Sequence, residues 1–69
     1  MCDFKNDRTV MVCDVAIGHI RNELQKAAVE GVKFTHVDWE GTLVEADPEI
    51  DVDAFTQAVR AGIAEAARE

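Results

Sequence analysis

Val32-Lys33-Phe34-Thr35-His36-Val37-Asp38-Trp39-Glu40-Gly41-Thr42-Leu43-Val44-Glu45-Ala46 is the most diagnostic stretch of this chain. Its two halves are rich in β-branched and aromatic residues, and a cluster of turn-forming residues divides them. Val32 to Asp38 and Thr42 to Ala46 therefore read as two strands of a hairpin closed by Asp38–Thr42. A two-residue Glu-Gly loop needs Glu40 at positive φ, which costs more than a three-residue loop with Gly41 in the left-handed position. The latter register pairs Asp38 with Thr42, Val37 with Leu43 and His36 with Val44. Val32, Phe34, His36, Val44 and Ala46 then share the core face, because side chains alternate across a strand. Lys33, Thr35, Val37, Leu43 and Glu45 share the other face, and Trp39 sits at the turn tip.

Working backwards, Gly31 is the expected C′ stop of a preceding helix, since glycine adopts the left-handed conformation without penalty. Ile17, Ile20, Leu24, Ala27, Ala28 and Gly31 recur at helical spacing and give that helix one apolar stripe. Asp14 is its expected N-cap. Gly18 is an awkward residue within it, so an alternative boundary carries the first strand to Ile17 and starts the helix near His19. Arg8 to Cys13 reads as that first strand. Its unbroken run Val10-Met11-Val12-Cys13 suits a place in the middle of a sheet. Residues 1–7 read as a flexible N-terminal tail, and residues 8–69 as a single domain.

Working forwards, Asp47-Pro48-Glu49 leads into a last helix, whose first turn tolerates proline. Val52, Phe55, Val59, Ile63 and Ala66 form its stripe, and Asp51 is its expected cap. The order is β-α-β-β-α. This is an α+β fold with a small three-stranded sheet and two helices on one face, leaving the other sheet face open.

The chain has 69 residues and a net charge of −7, unevenly placed. Residues 1–37 are neutral, and the whole excess lies in residues 38–69. Seven acids fall between Asp38 and Asp53 with no base among them. Such a surface repels nucleic-acid phosphates and anionic membranes and attracts a basic protein partner. No stretch approaches the roughly 20 apolar residues of a membrane helix. Residues 1–8 lack the apolar core of a signal peptide. With no disulfide framework, the expected location is cytoplasmic, with reduced thiols.

Catalytic signatures are missing. There is no G-x-S-x-G, no H-E-x-x-H and no phosphate-binding glycine loop, and serine and tyrosine are absent. Cys13 with His19 or His36 is a conceivable nucleophile and base. However, a cysteine in an apolar strand is ordinarily a small hydrophobe. Cys2, Cys13, His19 and His36 match no zinc spacing. A calcium loop starting at Asp47 needs Gly at its sixth place and Glu at its twelfth, which here are Val52 and Ala58. No cofactor or metal is expected, and the chain reads as a binding protein rather than an enzyme.

Two features stand out as partner-binding candidates. Trp39, the single tryptophan, belongs to a residue type enriched at interface hot spots. Val37 and Leu43 extend it as an apolar patch, with Asp38, Glu40 and Glu45 as an acidic rim. The competing reading folds Trp39 back to close the core. The second feature is the run of seven acids between Asp38 and Asp53, ending in the acidic cluster Asp47, Glu49, Asp51 and Asp53, whose spacing suggests imitation of phosphates. The expected function is a small regulator or inhibitor of a larger protein. The alternatives are a nucleic-acid mimic and a structural homo-oligomer of a phage or cellular assembly.

Overall fold

The structure is a computed structural model that describes residues 2–68. Met1 of the expected tail and Glu69 of the expected domain lie outside the described residues. Strands β1 (Asp3–Asn6) and β2 (Thr9–Val12) come first, followed by helix α1 (Asp14–Lys26). Strand β3 (Val32–Val37), a 3-10 turn (Asp38–Glu40), strand β4 (Gly41–Ala46) and helix α2 (Val52–Ala67) complete the fold. The sheet is antiparallel with order β1-β2-β4-β3. It is an α+β fold, but with four strands where the sequence suggested three.

The added strand is β1. Asp3–Asn6 fall in the stretch read as a loose tail, yet they pair with β2 through Asp3↔Met11 and Phe4↔Val10. Phe4 is half-buried under the Arg60 guanidinium, 5.6 Å from the ring centroid. The Asn6 side chain accepts the Arg8 backbone N–H at 2.9 Å, which closes the hairpin. β2 and β4 fill the middle of the sheet, as the apolar run at Val10–Cys13 suggested.

The core forms where alternation and helical stripes meet. Val10 and Val12 from β2, with Val44 and Ala46 from β4, are buried with Ala16, Ile20 and Leu24 from α1. Phe55, Ala58 and Val59 from α2 complete the cluster. The helices pack closely at Gly62, where an added Cβ would lie 2.6 Å from Ile20 Cα. Asp51 caps α2 as expected, its carboxylate accepting the Asp53 N–H at 3.2 Å.

The other helix boundaries are corrected by the structure. Helix α1 starts at Asp14 with Cys13 as N-cap, so Gly18 lies within it, exposed and with open space around it. Asp14 does not cap. Its carboxylate instead accepts the Thr42 hydroxyl at 3.3 Å. The helix ends at Lys26, well before Gly31, and the left-handed residue after it is Ala28 at φ 56°. Ala28 N–H donates to Gln25 O at 3.0 Å and Val29 N–H to Leu24 O at 2.9 Å. These are the paired bonds of a Schellman motif. Pro48 falls one turn earlier than expected, inside a β-turn closed by Ile50 N–H on Asp47 O at 3.0 Å.

The hairpin register also shifts. Val37 pairs with Gly41, His36 with Thr42 and Phe34 with Val44. This lies two positions from the expected pairing, so every side chain keeps its expected face. Asp38 opens the 3-10 turn at φ 34°. Gly41, at φ 111° and ψ −136°, adopts a mirror-β conformation natural to glycine. A side chain there would collide with the Val12 carbonyl oxygen. Glycine is therefore required at 41 both by its positive φ and by the close passage of β2, not by the αL turn position expected of it.

Candidate interaction surface

The hairpin projects Trp39 from the end of the sheet, and the side chain is 100% exposed. This excludes the reading in which Trp39 closes the core. Asp38 and Glu40 flank it in the 3-10 turn, both exposed. His36, Asp38 and Trp39 line a shallow depression beside the tip. Behind it, His36 Nδ1 stands 3.9 Å from Asp14 Oδ1, the same oxygen that accepts from Thr42. The tip is thus tied through Asp14 to the first turn of α1.

Val37 and Leu43 lie on the sheet face away from the helices, both half-buried. That face carries a row Asp3–Met11–Leu43–Thr35 across the four strands. Met11 is a member that the sequence concealed, because the run Val10–Cys13 gave no sign of which residues face outward. Glu45 occupies the next row, between Thr9 and Lys33. It therefore stands opposite a base rather than on an acidic rim.

The acidic cluster is separate. Asp47, Glu49, Asp51 and Asp53 are all exposed, but they follow the far end of β4. Six residues of β4 at about 3.4 Å each put roughly 20 Å between this cluster and the Trp39 turn. The cluster also contains a base that is remote in sequence. Arg8 Nη1 donates to Asp47 O at 2.8 Å and to Ile50 O at 2.6 Å, fixing the loop between β4 and α2. The two partner-binding candidates are therefore distinct surfaces at opposite ends of one strand.

Of the groups weighed for chemistry, His36 faces Asp14, the neighbour of Cys13, whereas His19 faces α2. Among the described residues, no three His, Cys, Asp or Glu side chains are grouped to hold a metal ion. Cys2 and Cys13 are free thiols packed half-buried against the core. His19 Nδ1 faces Glu65 Oε2 of α2 at 3.6 Å. On the same helix, Lys26 Nζ lies 3.1 Å from Glu23 Oε2. This hydrogen bond holds the Glu23 carboxyl below its usual range and raises the Lys26 ammonium. Among the described residues, no helix is long and apolar enough to cross a membrane.

No family model, curated protein or solved structure matches this chain.

Proposed function

We propose that this chain is a small intracellular protein-binding module that occludes a surface of a larger, basic partner, with Trp39 as its anchor. The complete exposure of Trp39 at the tip of a paired hairpin carries this reading. Burying a large apolar side chain is worth roughly 1.5–3 kcal/mol or more. The free domain leaves that energy unused, and a complex would recover it. The 3-10 turn presents the indole on a hairpin held by regular pairing, so little conformational freedom is lost on binding. Asp38 and Glu40 beside it would speed encounter with a basic surface, while the indole would slow dissociation.

Affinity capture from lysate at low and high salt, with wild-type and Trp39→Ala baits, tests the reading. The expected result is a partner held by the wild type at both salts and lost from the variant. The two baits should melt at the same temperature. Equal retention by Trp39→Ala would overturn the assignment.

The exposed run Asp47, Glu49, Asp51 and Asp53 supports a second reading, phosphate mimicry. Its signature in the same experiment is a nucleic-acid-binding protein that is captured at low salt, released at high salt and indifferent to Trp39.

A further inference from the structure

A groove of about 480 Å³ runs between the C-terminal half of α1 and strand β3. Leu24, Val29, Val32 and Phe34 supply its apolar surface, with Arg21 and Glu30 at its margins. It lies away from the Trp39 turn and shares no lining residue with the depression there. We infer that it is a docking site for an extended segment of another protein, which adds to the free edge of β3 and presents a carboxylate to Arg21.

Three observations carry this. First, β3 is an edge strand, paired only with β4. Natural edges are commonly blunted by shortness or bulges. The other edge, β1, has four residues and a register irregularity between Phe4 and Asn6. β3 has six residues in unbroken register and no proline. It is the edge able to accept a strand along its length.

Second, the groove adjoins that edge. Val32 and Phe34 are alternate residues on the helix-side face of β3, and both are half-buried. An added strand would send every second side chain toward the same side. Main-chain bonds to the edge would supply affinity, and alternate side chains in the groove would supply selectivity.

Third, the guanidinium at the groove has no carboxylate partner among the described residues. Arg21 stacks on Phe34, its guanidinium carbon 4.5 Å from the ring centroid. Among the described residues it makes no ion pair, although acids outnumber Lys and Arg by 14 to 7 in the chain. An arginine lying over an aromatic ring keeps its fork of donors free for a carboxylate. Glu30 lies toward the start of β3, so the groove has a positive and a negative margin. The matching ligand is an extended peptide with alternating apolar residues and an acid placed at the Arg21 margin.

The test is selection of a phage-displayed library of random linear dodecapeptides on the wild-type protein. Enriched peptides should alternate apolar residues and carry an aspartate or glutamate. The affinity of the most enriched synthetic peptide should fall about tenfold or more with Arg21→Gln and stay unchanged with Trp39→Ala. N-methylation of one alternate set of its amides should abolish binding while the other set is tolerated. Backbone amide shifts in the wild-type protein should map to Val32–His36. Failure to enrich any peptide overturns the assignment. So do peptides that bind Arg21→Gln as well as the wild type, tolerate both methylation sets or shift amides elsewhere. Because Trp39 is an internal control, this outcome is independent of the anchor proposed above.

Discussion

Two glycine-to-alanine substitutions, one two residues before Ile20 in α1 and one packed against Ile20 from α2, should change stability in opposite directions. Gly18 lies exposed within α1 with no heavy atom within 4 Å of an added Cβ. Alanine there gains helix propensity, and the expected stabilisation is about 0.5–1 kcal/mol. Gly62 lies buried in α2, where an added Cβ would stand 2.6 Å from Ile20 Cα and 2.7 Å from Ile20 N and Cγ1. Ordinary carbon contacts are about 3.5–4.0 Å. The two helix backbones would have to part, because two of those atoms belong to the main chain of α1. Overpacking of this kind costs about 1–3 kcal/mol, and the upper end applies where backbone must move. Set against a propensity gain of about 1 kcal/mol, Gly62→Ala should lose about 1–2 kcal/mol. A domain of this size holds only roughly 3–5 kcal/mol in total, and each kcal/mol moves its melting temperature by about 4–8 °C. Gly62→Ala should therefore melt roughly 5–15 °C lower, and Gly18→Ala roughly 2–8 °C higher. Urea unfolding followed by far-UV circular dichroism should show the midpoints moving in opposite directions with unchanged slope. A neutral or stabilising Gly62→Ala would refute the close helix contact at Ile20.

Substitutions at two further positions test the helix ends. Ala28→Gly should stabilise by about 1 kcal/mol, since Ala28 holds φ 56° at the end of α1 and alanine is strained there; a lower urea midpoint would contradict the Schellman geometry. Asp51→Ala should cost about 1 kcal/mol by removing the acceptor for Asp53 N–H, while Asp51→Asn should retain most of the stability. Equal losses in the alanine and asparagine variants would show that charge, not capping, is what matters at that position.

Much of this fold was legible where one signal dominated. The stripe Phe55, Val59 and Ile63 and the cap at Asp51 fixed α2. The alternation of Val32, Phe34, Val44 and Ala46 fixed the faces of β3 and β4, even though the register moved by two positions. What escaped was structure held by distant partners. Asp3-Phe4-Lys5-Asn6 has one apolar residue and becomes a strand only because β2 is available to pair with it. The Asn6-Asp7 pair was its one local turn signal. Gly31 looked like a helix stop, but α1 ends at Lys26, and the φ of 87° at Gly31 belongs to the loop entering β3, where its carbonyl accepts Asp47 N–H at 3.2 Å. Alanine, a good helix former, gave no hint that Ala28 would take the left-handed position instead.

The candidate site was legible in part. Trp39, Asp38 and Glu40 occupy one turn because they are consecutive. Sequence order also suggested that Glu45 and the acids Asp47 to Asp53 belonged to the same surface. In three dimensions β4 carries the chain away from the tip, Lys33 stands opposite Glu45, and Arg8 enters the acidic loop from another strand. Arg21 drew no notice as a site residue, since its stacking on Phe34 joins a helix to a strand that lies beyond the next loop.

The most direct measurement is collisional quenching of the Trp39 fluorescence, which reports on one residue because the chain has a single tryptophan. It should be made on the free protein and again after addition of the captured partner. Quenching as efficient as that of free indole in the first case, and strong protection in the second, is the result expected of an exposed anchor that becomes buried on binding. Protection already present in the free protein, or accessibility unchanged in the complex, would contradict it.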